Sequence, residues 1–147
     1  MESLTVFARW SLYGLLGLMG VFCLILWVVQ LKIMRGGVFR NPDGSQDDWH
    51  QQPTHYGIAF ADVFVACPAN VVAVALAFAG SRWGFYLLAL ASFWWIWANV
   101  MTTATSLKFY KPKITVTWFL AYPFGALVGL AYVALTFAHF DALYGLS

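Results

Sequence analysis

The sequence predicts an all-α integral membrane protein, a bundle of four antiparallel transmembrane helices with one long polar loop between helices 1 and 2. Composition and the length of the apolar runs carry this prediction. Of the 147 residues, 62% are hydrophobic and 10% are charged, whereas a soluble domain has roughly 25% charged residues. The composition therefore excludes a soluble domain, and a single transmembrane domain, residues 1–147, accounts for the chain.

Four apolar runs occupy about residues 8–31, 57–79, 83–107 and 114–138. Each has about 23 to 25 residues, enough to cross roughly 30 Å of hydrocarbon with some tilt. Their backbone groups must be satisfied within each run, so we expect four helices. The first run is longer than the apolar region of a signal peptide and lacks a small-residue cleavage site, so we expect it to stay in the mature protein.

The connections between the runs predict their direction and orientation. Residues 80–82 alone join the second and third runs, which forces an antiparallel hairpin, and the connection 108–113 is also short and contains Pro112. The first connection, 32–56, is long and carries most of the polar residues. Six basic residues lie in the first and third connections and two lie on the opposite side. The positive-inside rule therefore predicts cytoplasmic loops 1 and 3, with both termini outside.

Polar side chains at membrane depth indicate the candidate site, because each is costly in hydrocarbon unless it faces a cavity or a partner. Asp62 lies about 9 Å below the boundary with loop 1, where an isolated carboxylate either takes up a proton or requires a partner. We expect other polar groups of the same leaflet half to share its level, namely Gln30, Asn99, Thr102, Thr103 and Tyr122. The sequence thus predicts a cavity that opens toward loop 1. Its predicted aromatic walls are Phe60, Phe64, Trp94, Trp95, Trp97 and Trp118.

Most of these groups also have a structural interpretation. A threonine in a membrane helix commonly bonds the carbonyl four residues earlier in its own helix, which applies to Thr102 and Thr103. Asn99 can join two helices by a hydrogen bond, and tryptophan or tyrosine near the end of a span is commonly an interfacial anchor. Asp62 is the residue for which a functional role is favoured.

Small residues indicate close contacts between helices, either within the bundle or between two subunits. They are Gly14, Gly17 and Gly20 in the first run, and Gly125 and Gly129 in the fourth. Both cysteines, Cys23 and Cys67, lie inside apolar runs, and we interpret them as packed apolar side chains.

Other classes of function lack their sequence signals. No basic run is interleaved with aromatic residues, so we expect no nucleic-acid partner. The loop segment 47–55, DDWHQQPTH, contains two aspartates and two histidines, but their spacing matches no established metal site. We therefore predict neither a metal nor a cofactor.

Several short motifs resemble those of the EXPERA group, the membrane proteins similar to emopamil-binding protein and the sigma-2 receptor. The first match is the segment 61–68, ADVFVACP, in which an acid precedes a proline by six positions. Further matches follow in order over about two thirds of the chain. They are the turn 80–83 (GSRW), residues 101–103 (MTT) and the aromatic-proline step Tyr122-Pro123.

The resemblance implies a helical bundle that encloses a pocket for sterols and amphipathic amines. Asp62 matches the acid of the second span, and Asn99 and Thr102 fall where pocket-lining polar groups are expected. Gln30 stands where the group has a second acid, and the His and Glu pair of its sterol isomerases has no counterpart. The resemblance also implies cytosolic termini, opposite to the orientation that the charges predict.

Two functions are compatible with these features. The first is a membrane-embedded pocket protein that binds an apolar isoprenoid or sterol-like molecule or lipid. Such a protein acts either as a binding protein alone or as an acid-catalysed isomerase or cyclase, with Asp62 as proton donor and Asn99 as a second catalytic residue. The predicted ligand contacts are Gln30, Phe60, Phe64, Trp95, Thr102, Thr103, Trp118 and Tyr122. The alternative is a structural or assembly subunit of a larger membrane complex, and a homodimer is compatible with both. A proton-coupled exporter is less favoured, because Asp62 is off-centre in its span.

Overall fold

The computed structural model describes residues 4–40, 46–47 and 53–144. The prediction of a helical chain is confirmed, since a pair of two-residue antiparallel strands is the exception among the described elements. Two turns of π-helix, the first π segment Asp62–Ala66 and the second π segment Ser106–Tyr110, interrupt the long helices. The remaining elements in order are α1 Val6–Met34, β1 Phe39–Arg40, β2 Gln46–Asp47, α2 Pro53–Ala61, α3 Cys67–Phe78, α4 Arg82–Thr105, α5 Val116–Ala121, α6 Phe124–Ala138 and α7 Phe140–Tyr144.

Three helical segments are long and apolar enough to cross a membrane, namely Val6–Met34, His55–Phe78 and Arg82–Phe109. The second joins α2, the first π segment and α3 into one helix, which we call helix 2. Large apolar side chains, including Val21, Leu24 and Val28 of α1, are exposed on the outer surface of these segments. A protein that exposes such faces on helices of this length is an integral membrane protein.

The helix boundaries follow from local chemistry. Thr5 caps α1, because its hydroxyl oxygen accepts a hydrogen bond from the Ala8 N–H at 3.2 Å. Gly80 ends the turn after α3 with a φ of 75° that suits glycine. The Gly80 N–H bonds the Ala77 carbonyl and the Ser81 N–H bonds the Leu76 carbonyl, which is the Schellman pattern. This turn leads directly into α4, as the short connection predicts.

Neighbouring helices approach closely at small residues. Gly20 of α1 lies beside Val74 of α3. Gly84 at the start of α4 lies against the backbone of Ala77 at the end of α3. On the other side of α4, Gly129 faces Ser92, while Gly125 of α6 faces Asn99. The predicted close contacts of Gly125 and Gly129 are therefore made within the bundle.

Two of the glycines predicted to mediate packing have no such contact. A methyl group built on Gly14 or on Gly17 would meet nothing within 4 Å. Of the two predicted alternatives, a close contact within this chain is wrong for both residues, since their positions on α1 are open, and a contact between two subunits stays a prediction.

The fourth apolar run differs from the single helix that its composition predicts. It consists of α5 and α6, with the break at Tyr122 and Pro123. Pro123 has no N–H to continue the helix, and Tyr122 before it has a ψ of -77°. α6 has 15 residues, a length of roughly 22 Å, which is shorter than the hydrocarbon layer.

We predict opposite effects for two Gly→Ala substitutions. Gly84→Ala would push a methyl group into the α3 backbone, so we expect the free energy of unfolding to fall by about 1–3 kcal/mol. Gly17→Ala is the matched control, because its methyl group meets open space and alanine favours helix by up to about 1 kcal/mol. Titration of each purified variant with SDS, followed by circular dichroism, measures both. Equal destabilisation of the two variants would contradict the assigned α3–α4 contact.

Candidate functional site

Asp62 occupies the first position of the first π segment, where the helix widens by one residue. The Cys67 N–H bonds the Asp62 carbonyl, five residues earlier. Pro68 follows at once, and a proline removes the regular i−4 hydrogen bond and crowds the carbonyl one turn before it. The widened turn accommodates the proline without ending the helix, and such turns are frequent at functional sites.

The carboxyl group of Asp62 is paired with the side chain of Gln30 on α1. The Gln30 Nε2 donates a hydrogen bond to Asp62 Oδ2 at 2.7 Å. Both residues are buried, with 4% of Asp62 and 8% of Gln30 exposed. The predicted need for a partner is thus met by a neutral amide, which leaves the carboxyl group able to carry either a proton or a charge.

The two cysteines lie next to this pair, further along the same helix contact. Both thiols are free and buried, and Cys23 Sγ donates a hydrogen bond to the Cys67 carbonyl at 3.6 Å. Asp62, Gln30 and the cysteines together form a polar seam between α1 and helix 2.

A second polar contact joins helix 2 to α4, and it involves a residue that the sequence analysis missed. The indole Nε1 of Trp95 donates a hydrogen bond to Asn70 Oδ1 at 2.9 Å. Asn70 in turn donates from Nδ2 to the Ala66 carbonyl at 3.0 Å. An amide at position 70, two turns after Asp62 in an apolar run, is a signal of the same kind as Asn99 and was available in the sequence.

The predicted polar residues of α4 hydrogen-bond mainly within their own helix. Asn99 Nδ2 donates to the Trp95 carbonyl at 2.8 Å, and Thr102 Oγ1 donates to the Ala98 carbonyl at 2.9 Å. Within the described part of the chain, the buried hydroxyl of Thr103 has no hydrogen-bond partner. These bonds fit the structural interpretation of Thr102, and none of them connects α4 to Asp62.

Trp118 and Tyr122 fasten α5 to the end of α4. Their rings stack with centroids 5.6 Å apart. The Trp118 Nε1 donates to Ser106 Oγ of the second π segment at 2.9 Å. These contacts place the two rings together at the end of the bundle where α4 finishes.

Three predicted wall residues lie on the outer surface instead. Phe60, Phe64 and Trp97 are 51%, 59% and 61% exposed, and the Phe60 and Phe64 rings pack on each other with centroids 4.7 Å apart. The expectation that they line an interior cavity with Asp62 is wrong, because their side chains point away from the bundle. An apolar sequence does not distinguish a side chain that faces lipid from one that faces a cavity.

An open apolar groove of about 510 Å³ lies between helix 2 and α4. Its lining is almost wholly aliphatic or aromatic, and Trp94, a predicted wall residue, is part of it. Asn70 is its one polar lining residue. The full lining is Val65, Ala66, Pro68, Ala69, Asn70, Val72, Leu87, Leu90, Ala91 and Trp94.

The described residues contain no group of three side chains that could hold a metal ion. The segment 48–52 of loop 1 and the side chain of Asp47 lie outside the described part of the structure. No family model, curated protein sequence or solved structure matches the chain. The geometry of the site is therefore the basis for assigning a function.

We predict that Gln30 and Asp62 are energetically coupled. Gln30→Leu leaves a buried carboxyl group without its donor, whereas the double variant Gln30→Leu/Asp62→Leu removes both polar groups. We expect a coupling free energy of about 0.6 to 1.7 kcal/mol in a double-mutant cycle, the range for polar contacts between membrane helices. SDS titration of the wild type, of the single variants Gln30→Leu and Asp62→Leu, and of the double variant gives the coupling. Strictly additive effects would show that the hydrogen bond contributes nothing.

A second prediction compares the stability effects of substituting the buried Trp95 and the exposed Trp97, both on α4. Trp95→Phe keeps an aromatic ring but removes the donor to Asn70, so we expect a loss of about 1 kcal/mol in the free energy of unfolding. Trp97→Phe is the control, because Trp97 is on the outer surface. The same titration measures both variants, and a loss as large for Trp97→Phe would argue against the Asn70 contact as the cause.

Proposed function

We propose that the protein spans the membrane four times, with α5 and α6 together forming the fourth, broken crossing. The combined α5–α6 segment, 116–138, is of spanning length even though α6 alone is short. The antiparallel contacts of α6 with α4 support this arrangement. The excess of basic residues in loops 1 and 3 supports a cytoplasmic position for those loops, with both termini outside.

We further propose that the protein binds an apolar, isoprenoid or sterol-like molecule in the groove between helix 2 and α4. The observation that carries this proposal is the groove itself, whose volume of about 510 Å³ lies in the range of small-molecule sites. Its aliphatic lining suits a hydrocarbon chain or fused rings. Asn70 offers the one polar feature at which a hydroxyl or carbonyl group of the ligand could be oriented.

Asp62 is the proposed proton donor for an acid-catalysed isomerisation or cyclisation of that ligand. Ala66 of the groove is four residues further along helix 2 than Asp62, or about 6 Å along the axis. A carboxyl group bonded to a neutral amide can deliver a proton to an alkene, and indole faces stabilise the resulting cation. The carboxylate that remains then takes up a proton from a carbon next to the cationic centre, which forms the new double bond and restores the acid. Asn99 is the second proposed catalytic residue, and the resemblance to the EXPERA group is part of this proposal.

The alternative proposal is a subunit of a larger membrane complex. Gly14 and Gly17 favour it, because their open positions on α1 leave a notch into which a helix of another chain could pack.

The test is native mass spectrometry of the protein purified in mild detergent with its co-extracted lipids. We expect a discrete apolar ligand on the wild type. Ala69→Phe fills the groove and should reduce ligand occupancy at least about tenfold. Ala75→Phe is the matched control, since Ala75 is also an exposed alanine of α3 but does not line the groove.

The other outcomes of this experiment bear separately on the groove, on the subunit alternative and on the proton donor. Equal retention of the ligand by both variants would place the ligand elsewhere and overturn the groove proposal. A bare protein, or a partner chain that co-purifies in place of a ligand, would favour the subunit. Asp62→Asn tests the proton donor separately: we expect the ligand to remain bound but unconverted, and full conversion would exclude that role.

A further inference from the structure

The segment from Ser106 to Ala121 carries a dense cluster of positive charge. Lys108, Lys111 and Lys113 fall within six residues, in the sequence KFYKPK. No acidic residue follows Asp62 in the chain until Asp141. The positive charge of this cluster is therefore not balanced locally along the sequence.

The structure arranges this segment as a defined turn rather than an extension of α4. The second π segment ends at Tyr110, and Lys111 after it takes a left-handed conformation with a φ of 44°, which reverses the chain before Pro112. Thr115 then caps α5 by accepting a hydrogen bond from the Trp118 N–H at 3.1 Å. The bond between Trp118 and Ser106 holds α5 against the end of α4.

The exposed surface of this turn alternates between basic and apolar side chains. All three lysines are exposed. Phe109, Ile114 and Val116 are exposed between and beside them. A surface of this composition is typical of the boundary between the lipid headgroups and the acyl chains, where apolar side chains enter the membrane and lysines reach the phosphates.

The charges counted along the sequence are also uneven. The connections 32–56 and 108–113 together carry six basic residues and three acidic ones, a formal excess of three positive charges. Outside these connections, and apart from Asp62 in helix 2, the sequence has two residues of each sign. A ligand that carries negative charge is therefore favoured at one end of the molecule.

We propose that the turn 108–116 is a binding site for the phosphate headgroups of anionic phospholipids, with Phe109, Ile114 and Val116 inserted at the level of the upper acyl chains. Charge complementarity identifies the partner. Ammonium groups attract an anionic headgroup, whereas a zwitterionic headgroup offers no net attraction. The site is independent of the apolar groove, and it rests only on insertion of the protein in a membrane.

The experiment compares lipid binding in mixed micelles that contain phosphatidylglycerol and phosphatidylcholine in equal amounts. Native mass spectrometry counts each lipid retained by the purified protein. We expect the wild type to retain phosphatidylglycerol preferentially, and K108Q/K111Q/K113Q to lose at least about tenfold in that preference, since each lysine near a charged surface contributes severalfold to binding. K108R/K111R/K113R keeps the charge and should stay within about twofold of the wild type.

Arg82→Gln provides the control for position, because it removes a positive charge from the opposite end of the bundle. We expect it to leave the lipid preference unchanged, and circular dichroism checks that every variant is folded. Equal retention of the two lipids by the wild type would overturn the proposal. An undiminished preference in the glutamine variant would do the same, as would an equal loss in Arg82→Gln.

Discussion

The bundle depends on the close approach of α4 to the helices on either side of it. Between helices surrounded by lipid, burial of apolar surface gives little drive for association, so dense packing and buried hydrogen bonds must supply it. Gly84 allows α4 to meet the α3 backbone, and Gly129 allows α6 to meet α4 beside Ser92. Larger side chains at these two positions would separate the backbones, and the polar contacts between the helices would no longer reach.

Each of the three main helix contacts also has a buried side-chain hydrogen bond. Gln30 bonds Asp62 between α1 and helix 2, and Trp95 bonds Asn70 between helix 2 and α4. The third is the hydroxyl of Tyr132 on α6, which donates to the Phe85 carbonyl of α4 at 3.1 Å. A directional bond at each contact fixes the register of two otherwise apolar surfaces, which dispersion forces alone specify poorly.

The sequence predicted those parts of this arrangement that depend on length, on turn residues and on the cost of an isolated polar group. The three long helices, the tight turn at Gly80 and the need of Asp62 for a partner follow from such local properties. The direction in which an apolar side chain faces does not follow from local properties, because Phe64 and Trp97 are equally stable against lipid and against protein. The break in the fourth run involves a tertiary contact as well as Pro123, since Trp118 of α5 bonds Ser106 at the end of α4.

Pro68 and Pro123 illustrate how context decides the effect of the same residue. Pro123 lies at the break between α5 and α6. Pro68 lies in helix 2, which is packed by α1 on one side and α4 on the other, and there the helix widens into the first π segment and continues. Because a widened turn contains one extra residue, it rotates the helix that precedes it by roughly 100° relative to the helix that follows. Asp62 bonds Gln30 of α1, while Ala66, at the end of the same widened turn, and Ala69 line the groove beside α4. The proposed proton transfer therefore depends on the geometry of this turn as much as on the carboxyl group.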